Sequence, residues 1–222
     1  MPARGDTDGG VDGPVADVSV PDEPVADEPV ADRPVADEPV VVLLRAVNVG
    51  GAGKVAMPAL REAAVALGHT EVATYLGTGN LVLRPAHSGT ATDGPGSAAL
   101  TETLTDALRE RLGLPLELMV RTCAEIDAVV QDNPYPEVAE DDPAHLVVLF
   151  LDGPAPTEPP DLSRYGRERA TWHGDEAYLH YPDGIGRSKV TASVLDRASG
   201  RRGTGRNWRT VLALQQMLHD RT

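Results

Sequence analysis

The 222-residue sequence contains one cysteine and only eight aromatic residues, and none of its apolar runs reaches the length of a transmembrane helix. A single cysteine excludes an internal disulfide framework and a cysteine zinc cage. The N-terminus has no basic segment leading into an apolar stretch, so no Sec-type signal peptide is expected, and a cytoplasmic protein with no membrane partner is the default. Neither a Gly-x-Ser-x-Gly elbow nor a His-Glu-x-x-His pair is present; the sequence points to no metal site and leaves any cofactor unknown. Lysine is scarce too. Of 20 basic residues 18 are arginine, and the two lysines, Lys54 and Lys189, both lie in glycine-rich segments. A compact ammonium serves a site differently from a guanidinium.

Acidic residues, by contrast, are plentiful but unevenly placed. Residues 1–39 hold 11 acids and 2 bases, so most of the formal net charge of −14 belongs to a tail. That tail repeats PVADE, PVADR and PVADE over Pro24–Glu28, Pro29–Arg33 and Pro34–Glu38. A five-residue unit with proline in every copy cannot form a helix, and its valines are too sparse to offset the entropy of ordering. The expectation is a disordered, solvated arm over 1–39, ahead of one globular domain over 40–222.

Within that domain the pattern predicts an α+β fold. The run after Pro39 reads as a buried strand. Met57, Leu60, Ala64 and Leu67 then recur at helical spacing up to Gly68. Strand-like runs at 71–76 and 80–84, a helix carrying Leu100, Leu104, Leu108 and Leu112, and a strand at 116–121 complete a β-α-β-β-α-β order. This is the ferredoxin-like split βαβ arrangement. The remainder, 122–222, reads as a second such subdomain packed on the first (40–121). It opens with a capping box at Thr122–Glu125, followed by a strand at 145–151. A hairpin turning at Gly174-Asp175 and helices over about 188–199 and 207–218 follow.

Three segments carry possible chemistry. The first runs from Leu44 to Lys54 and includes Arg45, Asn48, Gly50 and Gly51. It invites comparison with the phosphate-binding P-loop and fails it, because Asn48 stands where glycine is needed and Val55 where Ser or Thr binds the metal. Its backbone amides could still approach an anion, with Lys54 and Arg45 adding charge. The second is the turn Gly77-Thr78-Gly79 followed by Asn80, which hairpin chemistry alone explains.

The third is His180-Tyr181-Pro182-Asp183-Gly184-Ile185-Gly186-Arg187-Ser188-Lys189-Val190-Thr191, a strand running through a Gly-x-Gly loop into a helix. Amides at a helix start, the dipole, two cations and the hydroxyls of Ser188 and Thr191 together favour an anion. Arg206 and Asn207 lie in a second basic, glycine-containing turn shortly after. Residues 161–222 hold 11 bases and 7 acids, so the charge is polarised within the folded part. His180 reads as a half-buried packing residue rather than a base. Cys123, in the first turn of a predicted helix, should have its pKa lowered by the dipole.

LLRAVNVGGAGKVAMPALR (43–61), TYLGTGNLVL (74–83), YLHYPDGIGRSKVTASVLDR (178–197) and TGRNW (204–208) resemble the bacterial domain of unknown function 1697 family. The resemblance spans about residues 40–219. It implies an α+β protein of paired subdomains and supplies no activity, substrate or catalytic residue. This chain departs from the family pattern at Ala46, Gly77, Ala192 and Arg209, and two of these changes remove a polar side chain.

The expectation drawn from the residues is a protein binding a small phosphate- or carboxylate-bearing ligand. Lys54, Arg187, Ser188 and Lys189 would hold the anion, and Asn48 and Asn207 would orient it. A nucleic-acid-binding module on the basic C-terminal third is an alternative, weakened by the absence of an aromatic-rich strand and by the negative net charge. A structural or protein-interaction domain is another, with the glycine motifs serving only as turns and caps.

Overall fold

A computed structural model describes residues 38–45, 55–86 and 97–222. It contains two four-stranded antiparallel sheets with helices packed between and outside them. In the first unit β1 (Val40–Leu44), α1 (Met57–Ala66), β2 (Thr70–Tyr75), β3 (Asn80–Arg84), α2 (Ser97–Leu112) and β4 (Leu118–Thr122) follow the predicted order. Their sheet order, β2-β3-β1-β4, is that of the ferredoxin-like fold.

After α3 (Cys123–Gln131) and α4 (Pro136–Asp141) come β5 (Leu146–Leu151), β6 (Arg169–His173) and β7 (Glu176–His180). The chain closes with α5 (Ala192–Ser199), β8 (Gly203–Asn207) and α6 (Trp208–His219). The second sheet runs β6-β7-β5-β8, the same order as the first. Its first crossover carries no helix. The proline-rich segment 152–168, whose prolines cannot supply helical amides, stands where α1 does in the first unit.

All five residues of β1 and all six of β5 are buried. Both strands are central and covered on both faces, which is why each reads as a continuous apolar run instead of an alternation. On β1, Val40, Val42 and Leu44 face α1 and α2, while Val41 and Leu43 face the second sheet. The inter-sheet layer is filled by Ile126 and Val129 of α3, Val148 and Phe150 of β5, Tyr178 of β7, and Trp208, Val211 and Leu214 of α6. The outer face of the second sheet packs Val147, Leu149 and Leu179 against Tyr181, Val190 and Leu195.

The capping box is formed as the sequence predicts: Thr122 Oγ1 accepts from the Glu125 amide, and the Glu125 carboxylate accepts from the Thr122 amide. Three elements differ from the sequence reading, and the first, the short helix α4, has no counterpart in it. The helix expected from Ser188 begins only at Ala192, because Ile185–Arg187 form a short 3-10 turn and Ser188 is extended. The glycine-containing segment ahead of the last helix is a strand, β8, paired with β5 from Val147↔Asn207 to Leu151↔Gly203. Alternation fails there because a Cβ on Gly203 would meet Leu149 Cγ at 2.7 Å, so neighbouring leucines fill the space a side chain would take.

Candidate functional site

Each sheet sends one buried arginine across the inter-sheet layer. Arg121 of β4 donates from Nε to Glu176 Oε1 of β7 at 2.6 Å and from Nη2 to the Leu151 carbonyl of β5 at 2.9 Å. Arg206 of β8 donates from Nε to Asn80 Oδ1 of β3 and from Nη2 to the carbonyls of Leu44 (3.0 Å) and Gly79 (3.1 Å). Its Nη1 donates to Thr204 Oγ1 at 2.7 Å, and Thr204 in turn donates to the Leu44 carbonyl at 3.1 Å. Asn80 completes the knot by donating to the Tyr75 carbonyl at 2.8 Å.

The two latches differ in charge. Burial works against the Arg121 cation, but the adjacent Glu176 carboxylate reverses that and holds it charged. Arg206 has only neutral acceptors, and burial lowers its pKa to about 10. Asn80 and Arg206, both anticipated as ligand residues, thus tie the sheets together. The same network fixes the β2–β3 turn, where left-handed backbone falls on Leu76 (φ 57) and Gly79 (φ 78) rather than on Gly77.

Arg45 leaves the end of β1 toward the second unit. It donates to Glu117 Oε2 at 2.9 Å, to Asp196 Oδ2 of α5 at 2.5 Å and to the Gly203 carbonyl at 3.0 Å. Two carboxylates therefore satisfy its charge. Asn48, Gly50, Gly51 and Lys54 lie outside the described residues.

The 181–191 segment is built from below. Tyr181 is buried, its hydroxyl donating to the Val190 carbonyl at 3.4 Å, and burial pushes its pKa to about 12. Gly184 adopts φ 83 above His145, whose Nε2 would lie 3.3 Å from an added Cβ. Asp183 is held by Arg167 at 2.5 Å. Ser188 donates to Glu168 Oε1 and accepts from the Val190 amide at 3.0 Å, so its hydroxyl shapes the loop.

Thr191 is the N-cap of α5 but makes no side-chain cap. The Val194 and Leu195 amides both turn back to its carbonyl, and those of Ala192 and Ser193 donate to nothing among the described residues. Asn207 caps α6, its Oδ1 accepting from the Thr210 amide at 2.9 Å. His180 is half-buried, and burial together with the nearby Arg169 lowers its pKa. The expected lowering of the Cys123 pKa does not occur. Burial, then the charges of Asp127 and Glu38, push it up.

The basic excess of the C-terminal third resolves into paired and unpaired cations. Arg167, Arg169 and Arg202 pair with carboxylates, and Arg201 and Arg221 bind carbonyls. Arg187, Lys189, Arg197 and Arg209 are exposed, and their side chains have no hydrogen-bond or ion-pair partner among the described residues; of these, Arg187 and Lys189 lie in the 181–191 segment.

The family described as "Protein of unknown function (DUF1697)" matches residues 38–178, more than half of the chain. The chain belongs to that family. The match begins two residues ahead of β1, the strand that leads into the first glycine-rich segment, and ends in β7, before the loop at 181–191. No curated protein matches the chain. Among solved structures it is similar to a conserved bacterial protein, SP0830 from Streptococcus pneumoniae, at 21% identity and a TM-score of 0.58. That alignment covers 82% of this chain and 99% of the other, and it shows a shared fold.

Proposed function

We propose that the protein binds a small phosphate- or carboxylate-bearing ligand at the start of α5. The observation that carries this reading is the pair of exposed, unpartnered cations Arg187 and Lys189, placed just before the open amides of Ala192 and Ser193. Charge and oriented N–H groups there act on the same small volume. Ser188 and Tyr181 set the shape of the loop and Gly184 gives it its turn, while Gly186, whose added Cβ would meet nothing, leaves its outer face open. Lys54, the other lysine of the chain, is included in this reading from its glycine-rich sequence context alone. Thr191 offers a hydroxyl that no cap consumes.

A thermal-shift and calorimetric screen of inorganic phosphate, nucleotides, sugar phosphates and dicarboxylates tests this. Stabilisation by a phosphorylated or carboxylated compound, lost in Arg187→Ala/Lys189→Ala, is the expected result. The reading is abandoned if no compound stabilises the protein, or if the double variant responds as the parent does.

A further inference from the structure

The packing of α6 on α3 brings a third side chain to a pair that already shares one face of α3. Cys123 and Asp127 stand four apart on α3 and so share one face of that helix. His219, the last residue of α6, is 92 positions from Asp127, and its Nε2 lies 2.8 Å from Asp127 Oδ1. Cys123 Sγ lies 3.9 Å from Asp127 Oδ2. One ligand atom from each of the three falls within 4.8 Å of the others.

We infer that Cys123, Asp127 and His219 form a binding site for a divalent cation of the zinc class. The donor set is one thiolate, one imidazole and one carboxylate, the three ligand types that zinc takes from proteins. Bonds of about 2.0–2.3 Å to a tetrahedral ion place the ligand atoms roughly 3–4 Å apart. His219 Nε2 to Oδ1 is 2.8 Å and Cys123 Sγ to Oδ2 is 3.9 Å, either side of that range, and all three ligand atoms lie within 4.8 Å, so side-chain rotation closes the site.

The two oxygens of Asp127 divide the work. Oδ1 also accepts from Gln215 Nε2 at 2.8 Å, which holds the carboxylate in place as an outer-shell partner. Among the described residues, the hydrogen-bond partner of Oδ2 is the thiol. On binding, Cys123 releases its proton to water, the ion takes the space between Sγ and Oδ2, and His219 turns Nε2 from Oδ1 to the metal. No electron moves. Asp127 and His219 are each a little over two-fifths exposed, so water takes the fourth position. An oxygen-rich octahedral ion such as Mg2+ gains nothing from the sulfur.

Titration of the full chain with cobalt chloride and, separately, zinc chloride tests the assignment. The expected result is one equivalent of Co2+ giving intense visible d–d bands and a near-ultraviolet thiolate-to-cobalt band, both bleached by Zn2+. Cys123→Ser should abolish the thiolate band, and His219→Gln should weaken zinc binding by more than the roughly 10–100-fold that outer-shell changes cost. Circular dichroism on both variants confirms that they fold. Weak cobalt uptake with pale octahedral bands, unchanged by Cys123→Ser, would mean that scattered carboxylates bind the ion and would overturn the site. So would equal zinc affinity in parent and His219→Gln.

Discussion

Arg121 and Arg206 occupy equivalent positions in the two sheets and latch them together reciprocally. Arg121 pairs in register with Val41, three residues before the end of β1, and Arg206 with Val148, three before the end of β5. Each reaches the carbonyl of the last residue of the other sheet's central strand, Leu151 or Leu44. Each also reaches the first residue of the strand beside it, Glu176 or Asn80. The two units therefore share a device as well as a strand order. They differ in whether a carboxylate or an amide receives the cation.

Removing the uncompensated latch should be costly. Arg206→Ala strips Asn80 Oδ1 of its donor and takes one donor from each of the Leu44 and Gly79 carbonyls, which keep Thr204 Oγ1 and the Leu44 amide, and should lower stability by on the order of 2 kcal/mol in urea unfolding. Arg206→Lys should recover little, since one ammonium cannot fork to these acceptors. A double-mutant cycle with Asn80→Ala should give a coupling of about 1 kcal/mol or more. Simple additivity would show that the two side chains act independently.

Gly203 should tolerate no side chain. A Cβ there would lie 2.7 Å from Leu149 Cγ and 3.0 Å from Leu151 Cδ2, both in the buried strand β5. Gly203→Ala should cost about 1–3 kcal/mol by overpacking. Gly186→Ala, whose Cβ would meet nothing, serves as the control and should unfold at the parent's midpoint.

Alkaline pH should unfold the protein through its buried tyrosines. Tyr181 keeps its proton in the folded state up to about 12, against 10.0 when exposed. Between those values the unfolded chain releases a proton that the native chain retains, so stability falls as pH rises from about 10 to 12. The full effect of this one group is on the order of 2 kcal/mol. Tyr181→Phe should flatten the fall in thermal midpoint across that window, while an unchanged slope would remove Tyr181 as a cause.

Stability and binding should separate between Arg45 and the loop cations. Arg45→Ala breaks contacts to Glu117, Asp196 and the Gly203 carbonyl, and should destabilise by roughly 1–2 kcal/mol. Arg187→Ala and Lys189→Ala touch no partner and should stay within about 0.5 kcal/mol of the parent. Anion binding should respond in the opposite sense, lost in the loop variants and kept in a folded Arg45→Ala. Calorimetry beside denaturant titration reads both.

The first unit was legible because its local signals agree. Apolar periodicity, the prolines and glycines at element ends and the turn residues all select the same β-α-β-β-α-β order. The second unit was harder to read because segment 152–168 replaces a helix and β8 has no apolar side chain of its own. β8 exists through pairing with β5, where Leu149 and Leu151 fill the space above Gly203.

The sequence marked 181–191 as a Gly-x-Gly loop running toward a helix, and it grouped with that loop three residues whose side chains bind other protein atoms. Arg206, Asn80 and Asn207 looked like ligand groups because a polar residue beside glycine reads the same whether it faces solvent or a carbonyl. Only packing distinguishes them.

By itself the sequence determined the elements of the first unit, the acidic proline-rich repeat and the charge asymmetry, since these depend on neighbours a few positions apart. The tertiary structure decided which cations are satisfied and which remain open. It also decided that Cys123, Asp127 and His219 meet. Those outcomes depend on contacts between distant segments, and desolvation, the force that sorts a buried arginine from a free one, acts only once the sheets have closed.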